Sequence, residues 1–218
     1  MNTLGKVRFV WKPLVFALCL VPFLKVVGDL YGFTGTLGAN PIEDIQDRFG
    51  NWGLRFLVVT LTVTPLRLQT GWNWLARFLR MLGLFAFFYV LMHFLVWLLL
   101  DHGLVSRWLG PAAPATESIW SAIAEDIFER PFITIGFIAF LALFALAATS
   151  TAGMRRRLGR RWQKLHRVVY IAAILGVWHY WWQVKLDVSD PLIYAAILAI
   201  LLLYRIRHRY THQKHSPA

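Results

Sequence analysis

Three histidines, His93, His166 and His179, lie inside apolar stretches long enough to cross a membrane. An ionisable side chain in hydrocarbon is costly, so it normally serves a ligand, a proton path or a buried partner. His166 and His179 stand 13 residues apart on one expected helix, about 20 Å at ~1.5 Å per residue. They therefore occupy two depths of a bilayer whose apolar core is ~30 Å thick. His93 belongs to another expected helix, at a depth that matches His179. Two imidazoles offered from facing helices at one depth suit the axial positions of a b-type haem, which makes His93 and His179 the first candidate ligand pair. Thirteen residues before His93 stands Arg80, where a fourth histidine would complete a second pair with His166. An arginine is a poor metal ligand, although its fork suits haem propionates; the alternative is a charge at the headgroups. One haem is better supported by this pattern than two.

The elements that position these residues follow from hydropathy. The chain has 218 residues, 58% of them hydrophobic, which is the composition of a polytopic membrane protein. Six apolar segments are expected as transmembrane helices, at about 9–27, 52–66, 78–100, 132–148, 162–182 and 192–204, in an all-α single domain spanning 1–218. The second is expected to end at the Thr64-Pro65 break. Most of the 23 basic residues fall before the first segment, between the second and third, between the fourth and fifth, and after the sixth, whereas all 11 acids fall in the other three loops. The positive-inside rule then places both termini in the cytoplasm. The net charge of +12 is thus spent on topology and anionic lipid, and nucleic acid is not an expected partner. The basic, apolar start reads as a retained first helix, because Pro22 and Lys25 and the lack of a small-residue cleavage site argue against a signal peptide. Cys19, the single cysteine, excludes an internal disulfide.

The rest of the chain is quiet. No internal repeat, nucleotide-binding glycine fingerprint or nucleophile constellation is visible. A short amphipathic element is expected at about Thr116 to Phe128, with Thr116 as its cap. His102 reads as an interfacial residue, and His208, His212 and His215 as part of a lipid-facing basic tail rather than a metal site. Lys25 and Asp29 are spaced to pair one helical turn apart.

The stretch Leu158-Gly-Arg-Arg-Trp-Gln-Lys-Leu-His166, followed by Arg-Val-Val-Tyr170 and Trp178-His179-Tyr180, resembles the haem-binding membrane subunits of bacterial methionine sulfoxide reductase systems, the MsrQ (YedZ) family. Leu37-Gly-Ala-Asn-Pro41 with Asp44-Ile-Gln46, Thr64-Pro65-Leu66, Leu82-Gly83, Arg130-Pro131 and Ala148-Thr-Ser-Thr151 extend the likeness over roughly residues 20 to 204. The resemblance implies a six-helix ferric-reductase-like domain in the bacterial inner membrane. It implies one or two b-type haems on His93, His166 and His179, bound FMN, and electrons drawn from the quinone pool or a cytosolic flavin reductase. It also implies delivery to a periplasmic molybdopterin subunit, MsrP, that repairs oxidised envelope proteins. The chain would then be the electron-transfer subunit of an oxidoreductase rather than its catalytic one. Two rivals are weighed: a self-sufficient transmembrane ferric or quinol reductase, and a proton or metal transporter using the same histidines.

Overall fold

The computed structural model describes residues 5, 7–101, 119–184 and 187–214. Helix α1 opens with a π-helical turn at Val7–Trp11 and continues through Lys12–Leu30. Helix α2, Pro41–Thr70, starts with Pro41 in the first turn and the Asn40 side chain accepting from the Glu43 backbone N–H at 3.4 Å. Both features satisfy or dispense with N-terminal amides that have no intrahelical partner. It ends at Gly71, whose φ of 71° is the left-handed stop glycine supplies most cheaply. After a short 3₁₀ turn at Asn73–Arg77, α3 runs over Leu79–Val96 and finishes in a π-helical turn, Trp97–Asp101. Helices α4 (Ile119–Glu129), α5 (Pro131–Ala148), α6 (Ala152–Leu158), α7 (Arg160–His166), α8 (Val168–Gln183) and α9 (Ser189–Lys214) complete the described chain. His102, Thr116, His215 and the side chain of His212 lie outside the described residues.

Among the described residues, four helices are long and apolar enough to cross a membrane: Val7–Leu30, Leu79–Asp101, Pro131–Ala148 and Ser189–His208. The expected segments at 52–66 and 162–182 fall within α2 and within α7 and α8. Large apolar side chains such as Leu18, Ile171, Ile200 and Leu203 point outward and are exposed, as on a bundle whose solvent is lipid.

Two departures from the sequence reading have clear physical causes. Helix α2 does not stop at Thr64-Pro65 but passes through Pro65 to Thr70. Proline at 65 removes the N–H that would bond the Leu61 carbonyl. The Arg205 guanidinium, reaching over from α9, donates to that carbonyl instead. Neighbouring helices can repair a proline gap in this way, which is why proline is tolerated in membrane helices. The run from Trp162 to Trp182 is likewise not one helix: it tightens at Arg167 into i→i−3 hydrogen bonds, so His166 ends α7 and His179 belongs to α8.

Helix α1 shows a second repair. The Tyr89 hydroxyl accepts from the Phe23 N–H at 3.1 Å and donates to the Cys19 carbonyl at 2.7 Å, inserting a side chain into the backbone ladder beside Pro22. Tyr89 is fully buried, and its ring stacks on Phe56 at 5.2 Å.

The core is two antiparallel hairpins, α2 with α3 and α5 with α8, laid side by side. Small residues let the first pair close: a Cβ added at Gly53 would stand 2.6 Å from Val90 Cγ2. At one end, a charge knot ties α1 to α2. Buried Asp29 pairs with Lys25 at 2.9 Å and with Arg48, accepts from Thr34 at 2.6 Å, and Arg48 also holds Asp44 at 2.7 Å. A buried carboxylate persists only with this degree of pairing.

Candidate functional site

The four core helices enclose a cavity of about 1170 Å³, above the ~300–1,000 Å³ of common small-molecule pockets. His93 enters it from α3 and His179 from α8. Their ring centroids are 6.1 Å apart and their planes cross at 81°. The two histidines assigned to matching depths thus face one another.

Each imidazole is held by a backbone carbonyl of the partner helix in its own hairpin. His93 Nδ1 lies 2.8 Å from the Gln46 carbonyl and His179 Nδ1 lies 2.7 Å from the Phe132 carbonyl, each 47 residues earlier in sequence. A carbonyl only accepts, so each Nδ1 carries the proton and donates it. Each Nε2 is then left with a free lone pair, the form in which imidazole binds a metal. The glycine one turn after each carbonyl, Gly50 and Gly136, lies against the ring.

These equal separations are a structural repeat. Gln46, Gly50 and His93 in the first hairpin match Phe132, Gly136 and His179 in the second, and the buried Ala86 and Leu57 match the buried Ala172 and Leu143. Arg80 and His166 occupy equivalent places at the far ends. The repeat does not stand out in the sequence, because its matched residues are a few scattered Gly, Ala, Leu and His positions, types common in membrane helices, and the carbonyl-bearing pair, Gln46 and Phe132, differs in side chain.

The donor set can be tested against an iron centre. With metal–nitrogen bonds of ~2 Å and about 1 Å from each nitrogen to its ring centre, two imidazoles on one ion need centroids about 6 Å apart. The observed 6.1 Å meets that requirement. Among the described residues no group of three or more His, Cys, Asp or Glu side chains could hold a metal. A two-histidine set suits an ion whose remaining positions a macrocycle fills. The residues fit a haem.

His166 is built into a different cluster. Its Nε2 lies 3.2 Å from Thr149 Oγ1; that hydroxyl donates to the Ala145 carbonyl at 2.7 Å and so accepts from Nε2–H. The Trp162 ring stacks on His166 at 3.9 Å, and its Nε1 donates to the Thr149 carbonyl at 2.9 Å. Arg80, exposed in the first turn of α3, is not part of the cavity wall either. The structure therefore brings His93 and His179 together and sets His166 and Arg80 apart from them.

The cavity reaches the end where α2 and α5 begin and α3 and α8 finish. Glu43, Asp47, Asp101, Asp187 and Arg130 border it there. Burial, then the neighbouring Glu43 and Asp44, push the Asp47 carboxyl above the ordinary carboxylate range. Asp44 moves the other way, held down chiefly by its hydrogen bonds from Arg48.

Sequence reasoning missed Gly50, Gly136 and the two carbonyls. The signal was present in the equal spacing of each glycine from its histidine, although glycine is common in membrane helices and the spacing means nothing until the hairpins are paired.

Comparison with known proteins identifies the family. The family described as the ferric reductase like transmembrane component matches residues 49–177, from α2 into α8. The chain is 50% identical over 195 residues to the protein-methionine-sulfoxide reductase heme-binding subunit MsrQ of Ralstonia nicotianae, covering 88% of this chain and 82% of that protein. It is 47% identical over 199 residues to the protein of the same description from Herminiimonas arsenicoxydans (89% and 84% covered). For that of Rhodospirillum rubrum the identity is 48% over 193 residues (88% and 85% covered).

Proposed function

Since the chain belongs to the ferric-reductase-like transmembrane family and, within it, to the MsrQ haem-binding subunits, we propose that it carries electrons through the membrane to a separate protein-methionine-sulfoxide reductase. The observation that carries this reading is the pair of imidazoles brought from α3 and α8 into one glycine-floored cavity, each with its Nδ1 donating to a backbone carbonyl and with ring centroids 6.1 Å apart. His93 and His179 would hold the iron of a haem b. Held there, the haem supplies a one-electron carrier in a low-dielectric site.

The protein's own part is to hold and insulate that carrier. The Gln46 and Phe132 carbonyls fix the tautomer and raise the basicity of the ligands. Apolar walls, including Leu54, Leu143 and Phe140, keep water from the iron. The fold crosses the inner membrane six times with both termini cytoplasmic, so the end of the cavity bordered by Glu43, Asp47, Asp101 and Asp187 faces the periplasm. A quinol, oxidised to quinone, releases two electrons and two protons. Reduction of one sulfoxide to thioether and water consumes the same number, at the molybdopterin subunit MsrP. The carboxylates around the cavity mouth face that partner, and their attraction is screened by salt. FMN and a cytosolic flavin reductase belong to this reading through the family resemblance. His166, with Trp162 and Thr149, marks the cytoplasmic end where electrons enter.

The test is haem quantification by pyridine haemochrome in the purified wild type and in His93→Ala, His179→Ala and His166→Ala. The first two substitutions lose most of the haem and the third retains it. Full occupancy with unchanged spectra in both His93→Ala and His179→Ala would overturn the ligand pair.

A further inference from the structure

The two imidazoles are seated in the same way, and the seat leaves no room for a side chain. A Cβ added at Gly50 would stand 2.9 Å from His93 Nδ1 and 3.2 Å from its Cε1. One added at Gly136 would stand 2.8 Å from both Nδ1 and Cε1 of His179. The ring cannot simply swing aside, because Nδ1 is tied to a carbonyl one turn earlier on the same helix, at 2.8 Å for His93 and 2.7 Å for His179. The carbonyl fixes where the ring edge sits, and the bare glycine backbone fixes how far the plane can turn. With both rings seated, the planes cross at 81°.

We propose that Gly50 and Gly136 are positioning residues that set the crossed orientation of the two axial imidazoles and thereby the electronic state of the iron between them. The proposal rests on His93 and His179 being the ligands. Crossed imidazoles donate into two different iron d orbitals and leave them nearly equal in energy; parallel ones act on one orbital and split the pair. The first arrangement yields a ferric low-spin resonance with one dominant, strongly shifted feature, and the second a three-line rhombic spectrum.

The experiment is low-temperature electron paramagnetic resonance with haem quantification on wild type, Gly50→Ala, Gly136→Ala and a control, Gly83→Ala. At Gly83 the nearest atom to an added Cβ is Thr60 Cγ2 at 3.9 Å, so the control has room. The wild type and the control are expected to show the strongly anisotropic signal. Gly50→Ala and Gly136→Ala are expected to turn rhombic or high-spin and to bind haem about 10-fold or more weakly, the usual cost of disturbing the groups behind metal ligands. Wild-type spectra and affinity in both variants would overturn the proposal. So would a rhombic spectrum from the wild type alone, a measurement that needs no variant to fold. Running His93→Ala and His179→Ala in parallel separates two failures. Full haem in those variants sinks the ligand pair itself, whereas their loss of haem beside unaffected glycine variants sinks only the role of the glycines.

Discussion

Arg205 and Pro65 sit on different helices but share one carbonyl, and a double-mutant cycle can read their dependence. In the wild type the Leu61 carbonyl takes its hydrogen bond from Arg205 because Pro65 has no N–H to give. Arg205→Met orphans that carbonyl, at about 1–3 kcal/mol. It also removes the guanidinium from the Tyr170 ring, 5.4 Å away, at about 0.5–2 kcal/mol. A relief opposes these losses: Arg205 Nε is buried with no hydrogen-bond partner, so its removal returns about 1–3 kcal/mol. The net single-mutant cost can therefore fall anywhere from about −1.5 to 4 kcal/mol and by itself says little. In a Pro65→Ala background the new N–H can reach the Leu61 carbonyl, and only the carbonyl contribution disappears from the cost of losing Arg205. The Tyr170 and Nε contributions occur in both legs and cancel. The expected coupling is about 1–3 kcal/mol, with the double mutant more stable than the sum of the singles. Equilibrium unfolding in mixed micelles, followed by helical circular dichroism, measures it. Additivity within about 0.5 kcal/mol would refute the shared-carbonyl argument.

The remaining predictions concern the ligands, the α1 bridge and pH. Pyridine haemochrome assays are expected to show His93→Ala and His179→Ala losing haem while His166→Ala keeps it, since His166 bonds Thr149 outside the cavity; the reverse pattern would move the primary site to the far end. Tyr89→Phe removes the hydroxyl between the Phe23 N–H and the Cys19 carbonyl. Those two groups are natural i→i−4 partners, so the ladder can close on itself and the loss should be about 1 kcal/mol rather than the ~2–6 kcal/mol of two orphaned groups. A larger loss in the same unfolding assay would show that the kink cannot relax. Asp44 has its folded-state pKa lowered, chiefly by hydrogen bonds from Arg48. Its contribution is therefore present above the ordinary carboxylate pKa of ~3.9 and fades as the pH falls below it. Unfolding midpoints measured from roughly pH 6 to pH 3 should fall less steeply in Asp44→Asn than in wild type; identical slopes would remove Asp44 from the acid response.

The family resemblance noted in the sequence holds, and with it the all-helical membrane class. Hydropathy and charge are local quantities: an apolar run with a basic flank announces a helix and its direction wherever it packs. The Lys25–Asp29 pair, a single turn apart, was legible for the same reason and is formed at 2.9 Å. Legible too were the three histidines, because an imidazole in hydrocarbon is conspicuous in one dimension. Depth along the helices had already named His93 and His179 as the pair, and their rings do meet, with centroids 6.1 Å apart. What spacing could not give was rotation about the axis, so the turn of His166 onto Thr149 was left to packing. Where α2 ends also escaped local reasoning, since the group that repairs the Pro65 gap, Arg205, lies on α9 far along the chain. The glycine seats and the repeat they reveal are products of tertiary structure. A missing side chain carries no chemical signal of its own, and acquires meaning only when another helix brings a ring against it.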